Sequence, residues 1–83
     1  MNYDLTQHAR TVLAERRIAT AWMERTLTSP ALTEPDPDDP TLEFRFLKIP
    51  EFGDRVLRVV VNKQVAPVRV VSVYFDRSMK GRL

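Results

Sequence analysis

The chain contains no cysteine, so it can form neither a disulfide framework nor a thiolate metal site, and a reducing cytoplasm suits it. Its one histidine, His8, excludes His-rich zinc centres and any mechanism that needs two imidazoles. Glycine occurs only at positions 53 and 81, which leaves no glycine loop to cradle a phosphate and argues against a nucleotide cofactor. No apolar run reaches membrane or signal-peptide length, so no membrane association is expected. With 83 residues there is room for a single core, and residues 1–83 read as one domain.

Charge is modest in sum, at +2, and unevenly placed. Residues 34–40 carry Glu34, Asp36, Asp38 and Asp39 and no cation. Residues 41–83 hold nine Lys and Arg against four acids. A basic C-terminal half suits a polyanion or an acidic protein partner, or else it is a solvated surface.

Helical periodicity covers about residues 5–28 in two pieces. The first runs from Leu5 to Arg17, capped by Asp4 or Thr6, with an apolar stripe of Leu5, Ala9, Val12 and Leu13. The second spans Thr20–Thr28, where Met23 and Leu27 are spaced i,i+4, and Pro30 stops it. Residues 29–41 hold four of the six prolines and four acids, and read as a loop. Its Asp36 and Asp38 do not make a calcium loop, because the turn glycine and the distal glutamate are missing. No metal is expected.

Three segments then read as strands: 42–49, 55–63 and 67–75, joined by hairpin-length turns, with a basic tail over 76–83. Sorting them by parity predicts a core face of Leu42, Phe44, Phe46, Leu57, Val59, Val61, Val71, Val73 and Phe75. The other face gathers Arg45, Arg58, Ser72 and Tyr74 among aliphatic residues. The expected fold is α+β: two N-terminal helices on one face of a three-stranded antiparallel sheet, with Arg45, Arg58 and Tyr74 on the open face.

The order and spacing of several short motifs resemble a known family. They are T-Q-H-A-R (Thr6–Arg10), E-R-R-I (Glu15–Ile18), Trp22, T-L-T-S-P (Thr26–Pro30), V-L-R-V-V (Val56–Val60) and V-S-V-Y-F-D-R (Val71–Arg77). Together they are similar to short bacterial proteins related to BrnT and, more distantly, to the RelE/ParE toxins. The resemblance implies a toxin-antitoxin role. RelE-type relatives are endoribonucleases neutralised by an antitoxin, whereas others of the same fold inhibit gyrase.

Metal-free RNA cleavage needs a base for the 2′-hydroxyl, cations for the phosphorane and an acid for the leaving oxygen. Arg45 and Arg58 are the candidate cations, since a guanidinium offers a fork of donors to phosphate. His8 is the candidate acid or base, and Tyr74 a stacking or proton-donating group. Lys48, Ser72, Asp76, Arg77 and Lys80 are the candidates for binding RNA or a partner. Each has a structural alternative: a packed His8, ion-paired arginines, a Tyr74 that closes the sheet. The expected partners are RNA, an antitoxin or a second copy. A non-catalytic interaction module or homodimer remains the competing expectation, favoured by the aliphatic residues of the open face.

Overall fold

In a computed structural model, residues 2–83 are described. The order is β1 (Tyr3–Leu5), α1 (Gln7–Glu15), α2 (Thr20–Thr28), β2 (Leu32–Pro35), β3 (Leu42–Ile49), β4 (Arg55–Asn62) and β5 (Val68–Phe75). Short 3-10 turns at Pro50–Phe52 and Arg77–Met79 follow β3 and β5.

α1 starts where Thr6 caps it: the Ala9 N–H donates to Thr6 Oγ1 at 3.1 Å, and that hydroxyl donates to the Val71 carbonyl. It ends in a Schellman turn, with the Ile18 N–H on the Leu13 carbonyl and the Arg17 N–H on the Ala14 carbonyl. Arg17 therefore sits at φ 53°, a position glycine usually fills. The turn buries Ile18 beside Leu13 and leaves Arg16 and Arg17 exposed. α2 follows with Met23, Thr26 and Leu27 buried.

The sheet corrects the expected three-stranded antiparallel arrangement. It has five strands in the order β1-β5-β4-β3-β2, and β1 runs parallel to β5 while all other pairs are antiparallel. The two additional strands are short edges: β1, Tyr-Asp-Leu, has too few residues for its alternation to register, and β2 carries Thr33, Glu34 and Pro35 after Leu32. Part of the segment 29–41, read as a loop, is thus β2, paired from Leu32 opposite Phe46 to Pro35 opposite Glu43.

The parity sorting also needs correction. Residues 50–54 join β3 and β4 in a register that sets Arg45 opposite Val59 and Phe46 opposite Arg58. Cross-strand partners share a face, so the odd positions of β3 join the odd positions of β4. Arg45 therefore lies on the helix side, and Phe44 and Phe46 lie on the other side with Arg58. Between Val60 and Val61 the pairing with β5 shifts by one residue, which sends Val70, not Val71, into the core. Leu57, Val59, Val61 and Val73 do face the helices, in one core with Ala9, Leu13, Met23 and Leu27.

The opposite face is covered as well. Phe46, Val56 and Met79 form a second buried cluster, with Leu32, Phe44 and Leu83 packed around it. The segment read as a basic tail, 76–83, folds back over the sheet through Met79 and Leu83, which is why two faces of the same strands are both apolar.

Candidate functional site

Arg45 is occupied by the fold. Its Nε donates to Glu43 Oε2 at 2.9 Å and its Nη1 to the Leu27 carbonyl at 3.0 Å, which closes one free carbonyl at the end of α2. Lys63, in the turn just after β4, joins Glu43 at 3.1 Å. Burial pushes the Glu43 carboxyl upward, but hydrogen bonds from Arg45 and Lys63 outweigh it and hold the group below its usual range.

Arg58 is also held. It is ion-paired with Asp76, and its guanidinium lies 4.3 Å from the Phe44 ring centroid, 5.1 Å from Tyr74 and 5.2 Å from Phe46. Its buried Nε has no hydrogen-bond partner. Asp76 also accepts from the Ser78 N–H at 2.9 Å and the Ser78 hydroxyl at 2.6 Å. Burial works to raise the Asp76 carboxyl; the bonds from Ser78 and Arg58 together depress it below its ordinary value. This arrangement fastens the 3-10 turn that buries Met79. It explains Arg58 and Asp76 as a structural pair.

The remaining candidates are spread out. His8 is exposed, not packed in the helix stripe, and its Nε2 lies 3.4 Å from Ser72 Oγ. Lys48 is exposed at the far end of β3, on the face that carries Phe46. Tyr74 is exposed beside Arg58. Arg45 and Arg58 stand on opposite faces of the sheet, so one phosphate cannot take both.

The structure gathers two of the binding candidates, Arg77 and Lys80, with two cations not singled out from the sequence, Arg16 and Arg55. Two adjoining cavities, of about 230 and 320 Å³, share Arg55, Phe75 and Arg77 as walls. The first adds Val56, Asp76 and Lys80; the second adds Arg16, Ile18, Phe52 and Tyr74. Among the described residues, Arg16, Arg55, Arg77 and Lys80 make no salt bridge. The carboxylate that reaches this cleft, Asp76, is already committed to Arg58.

Local sequence explains how the cleft is built. The Schellman turn projects Arg16. The turn after β3 sets Phe52, 41% exposed, against Trp22 and Phe75, with ring centroids at 5.4 and 4.9 Å. Glu51 in the same turn takes both Nη atoms of Arg25, at 3.1 and 2.7 Å, which ties the turn to α2 and lowers the Glu51 carboxyl to about 2. Gly53 and Asp54 then adopt left-handed φ of 66° and 57°, and Arg55 stacks over Phe52 at 4.9 Å. Sequence reasoning passed over all three: it took Arg16 as part of the first helix, residues 50–54 with Phe52 as a connection, and Arg55 as the start of a strand. The usable signal was an aromatic residue in a turn with an arginine three positions on, Phe52 and Arg55.

The lining offers guanidiniums, an ammonium, rings and a phenol, but no imidazole. Such a lining can take an anion beside flat apolar surfaces. Among the described residues, no group of His, Asp and Glu is arranged to hold a metal ion.

Residues 5–75 match the profile of a protein family described as a domain of unknown function, DUF4258. The chain belongs to this family. No curated protein matches it, and no solved structure does. The DUF4258 match spans both helices and all of the sheet from Leu5 to Phe75, so Arg16, Phe52 and Arg55 lie within the family's extent and Arg77 and Lys80 beyond it. Among the described residues, no helix is long and apolar enough to cross a membrane.

Proposed function

We propose that this DUF4258 protein is a toxin-antitoxin-like protein of RelE/BrnT type that engages single-stranded RNA in the cytoplasm. The RNA lies in the cleft of Arg16, Arg55, Arg77 and Lys80. One observation carries the reading: four cations from three segments line adjoining cavities whose carboxylate, Asp76, is committed to Arg58. Phosphates answer to guanidiniums, and bases answer to exposed rings such as Phe52 and Tyr74. Single strands fit better than duplex, because only unpaired bases can leave their neighbours to stack on a side chain.

Cleavage in this reading has the 2′-hydroxyl attack the phosphate with its proton passing to solvent water, Arg55 and Arg77 stabilise the phosphorane, and the Tyr74 phenol donates a proton to the leaving 5′-oxygen. Arg45 and Arg58 support the fold and not the chemistry, and His8 lies outside the lining.

The test is fluorescence anisotropy of a labelled single-stranded RNA, read at several salt concentrations, alongside a gel assay for cleavage. Arg55→Ala and Arg77→Ala are each expected to weaken binding and to reduce the salt slope by about 0.7. Phe52→Ala is expected to cost about 1–3 kcal/mol of affinity. Arg45→Ala should leave affinity per folded molecule unchanged. Salt-insensitive binding, or none, would remove the RNA reading. Binding without cleavage would keep the cleft and remove the enzyme.

A further inference from the structure

The acidic stretch and the cationic cleft lie at opposite ends of the sheet. Glu34, Asp36, Asp38 and Asp39 stand where β2 leads into β3, at the Leu42 end of β3. Phe52 and Arg55 follow the Ile49 end, and the pairing of Leu57 with Phe75 brings Arg77 and Lys80 to that same end. β3 has eight residues, so at about 3.4 Å each the two features stand roughly 24 Å apart. At that separation they do not pair within one chain.

Each is charged and uncompensated. Among the described residues, none of the four acids makes a salt bridge, and Lys63, at their end of the sheet, goes to Glu43. Glu34 and Asp38 are exposed. The stretch is also ordered. The Asp38 N–H donates to Asp36 Oδ1 at 2.8 Å, and the Asp36 N–H to the Leu42 carbonyl at 3.1 Å. The Thr41 N–H and hydroxyl both donate to Asp39 Oδ1, at 3.0 and 2.7 Å. Pro35, Pro37 and Pro40 fix φ between these bonds. A segment already held in shape loses little conformational freedom on docking.

We infer that the acidic stretch 34–39 of one copy docks in the cleft of Arg16, Arg55, Arg77 and Lys80 of a second copy. The carboxylates of Glu34, Asp36 and Asp38 meet the guanidiniums and the ammonium, while Asp39 stays with Thr41. Copies set antiparallel can make this contact twice, because each carries the two features at opposite ends. The contact shields the same cleft that the RNA reading uses, so RNA and a second copy exclude one another there. The contact itself stands whether or not RNA binds.

Sedimentation velocity of the full chain tests it, with zero-length carbodiimide cross-linking of mixed unlabelled and nitrogen-15-labelled protein. The chain should self-associate in about 20 mM salt, and its self-affinity should fall at least about tenfold by about 200 mM, because salt screens exposed charges. Cross-links should join Lys80 of one isotope to Glu34, Asp36 or Asp38 of the other. Glu34→Gln with Asp36→Asn and Asp38→Asn retains the acceptor at position 36 and should give a monomer. Arg16→Gln with Arg77→Gln and Lys80→Gln should also give a monomer. Mixed together, the two variants should associate again through the one intact stretch and the one intact cleft. The inference is overturned if the parent chain is monomeric at low salt, or if either variant alone associates as the parent does. It is equally overturned if the mixed variants stay apart, or if no mixed-isotope cross-link joins Lys80 to the stretch. No arm contains RNA, so this result is separate from that of the RNA titration.

Discussion

The two faces of the sheet bury similar side chains under unlike covers. On one face, two helices of nine residues each lie over Leu57, Val59, Val61, Val70 and Val73. On the other, Phe46 and Val56 are shielded by Met79 and Leu83 from a short turn held by the Arg58–Asp76 pair. Helices supply a wide apolar stripe, to which the Arg25–Glu51 pair and the Arg45 bond to the Leu27 carbonyl are added. A single turn supplies few contacts, so its position depends on a polar clamp. The same face that gains a clamp loses Arg58 as a free cation, and the available positive charge moves to the margin where Arg16, Arg55 and Arg77 stand.

The strongest challenge to this comparison is to empty the thinly covered face. Phe46 is 1% exposed, and Phe46→Ala is expected to destabilise the protein by about 3–5 kcal/mol in urea unfolding, as a fully packed core site would. A cost below about 1 kcal/mol would show that the tail gives no real shelter. Asp76→Asn keeps an acceptor for Ser78 but leaves Arg58 without its carboxylate among three rings. It is expected to cost about 1–3 kcal/mol and to speed exchange at the Met79 amide before that of the helix-side strands.

Acid probes the same clamp without a mutation. The Asp76 carboxyl is depressed in the folded state, so the folded chain binds a proton there less readily than the unfolded chain. Its contribution is complete above the ordinary aspartate pKa of about 4 and is lost as pH falls through the folded value. The stability difference between the parent chain and Asp76→Asn should therefore shrink as the pH drops below about 4. A difference that persists unchanged at lower pH would mean the charge of Asp76 does nothing.

The smallest effect belongs to the helix side. Arg17 occupies a left-handed position at φ 53°, where a side chain is strained. Arg17→Gly relieves that strain but adds freedom to the unfolded chain, and a net gain of about 0.5 kcal/mol is expected. A loss would mean that the Arg17 side chain makes a stabilising contact.

Much of the fold was legible where local signals agree. α2 runs from Thr20 to Thr28 as read, because Pro30 and the Met23–Leu27 spacing leave little choice. β3 and β4 begin at Leu42 and Arg55 as read, set apart by Pro50 and Gly53. The alignment of faces across strands was not legible. Period-2 alternation sorts residues within a strand, but only the turn fixes which set of one strand joins which set of the next. With Phe44 and Phe46 as apolar as Leu57 and Val59, hydrophobicity could not choose between the two sortings. β1 and β2 escaped because short edge strands carry polar residues and proline. The same ambiguity set Arg45 on one face with Arg58, and Arg55, read only as the first residue of a strand, was not singled out.

The division between held and free arginines can be observed in one experiment. Nitrogen-15 NMR of the arginine side chains, recorded during a titration with single-stranded RNA, reports each Nε–H separately. The account predicts that the signals of Arg16, Arg55 and Arg77 shift with saturation while those of Arg45 and Arg58 stay in place. Shifts at Arg45 and Arg58 with none at Arg16, Arg55 and Arg77 would contradict it.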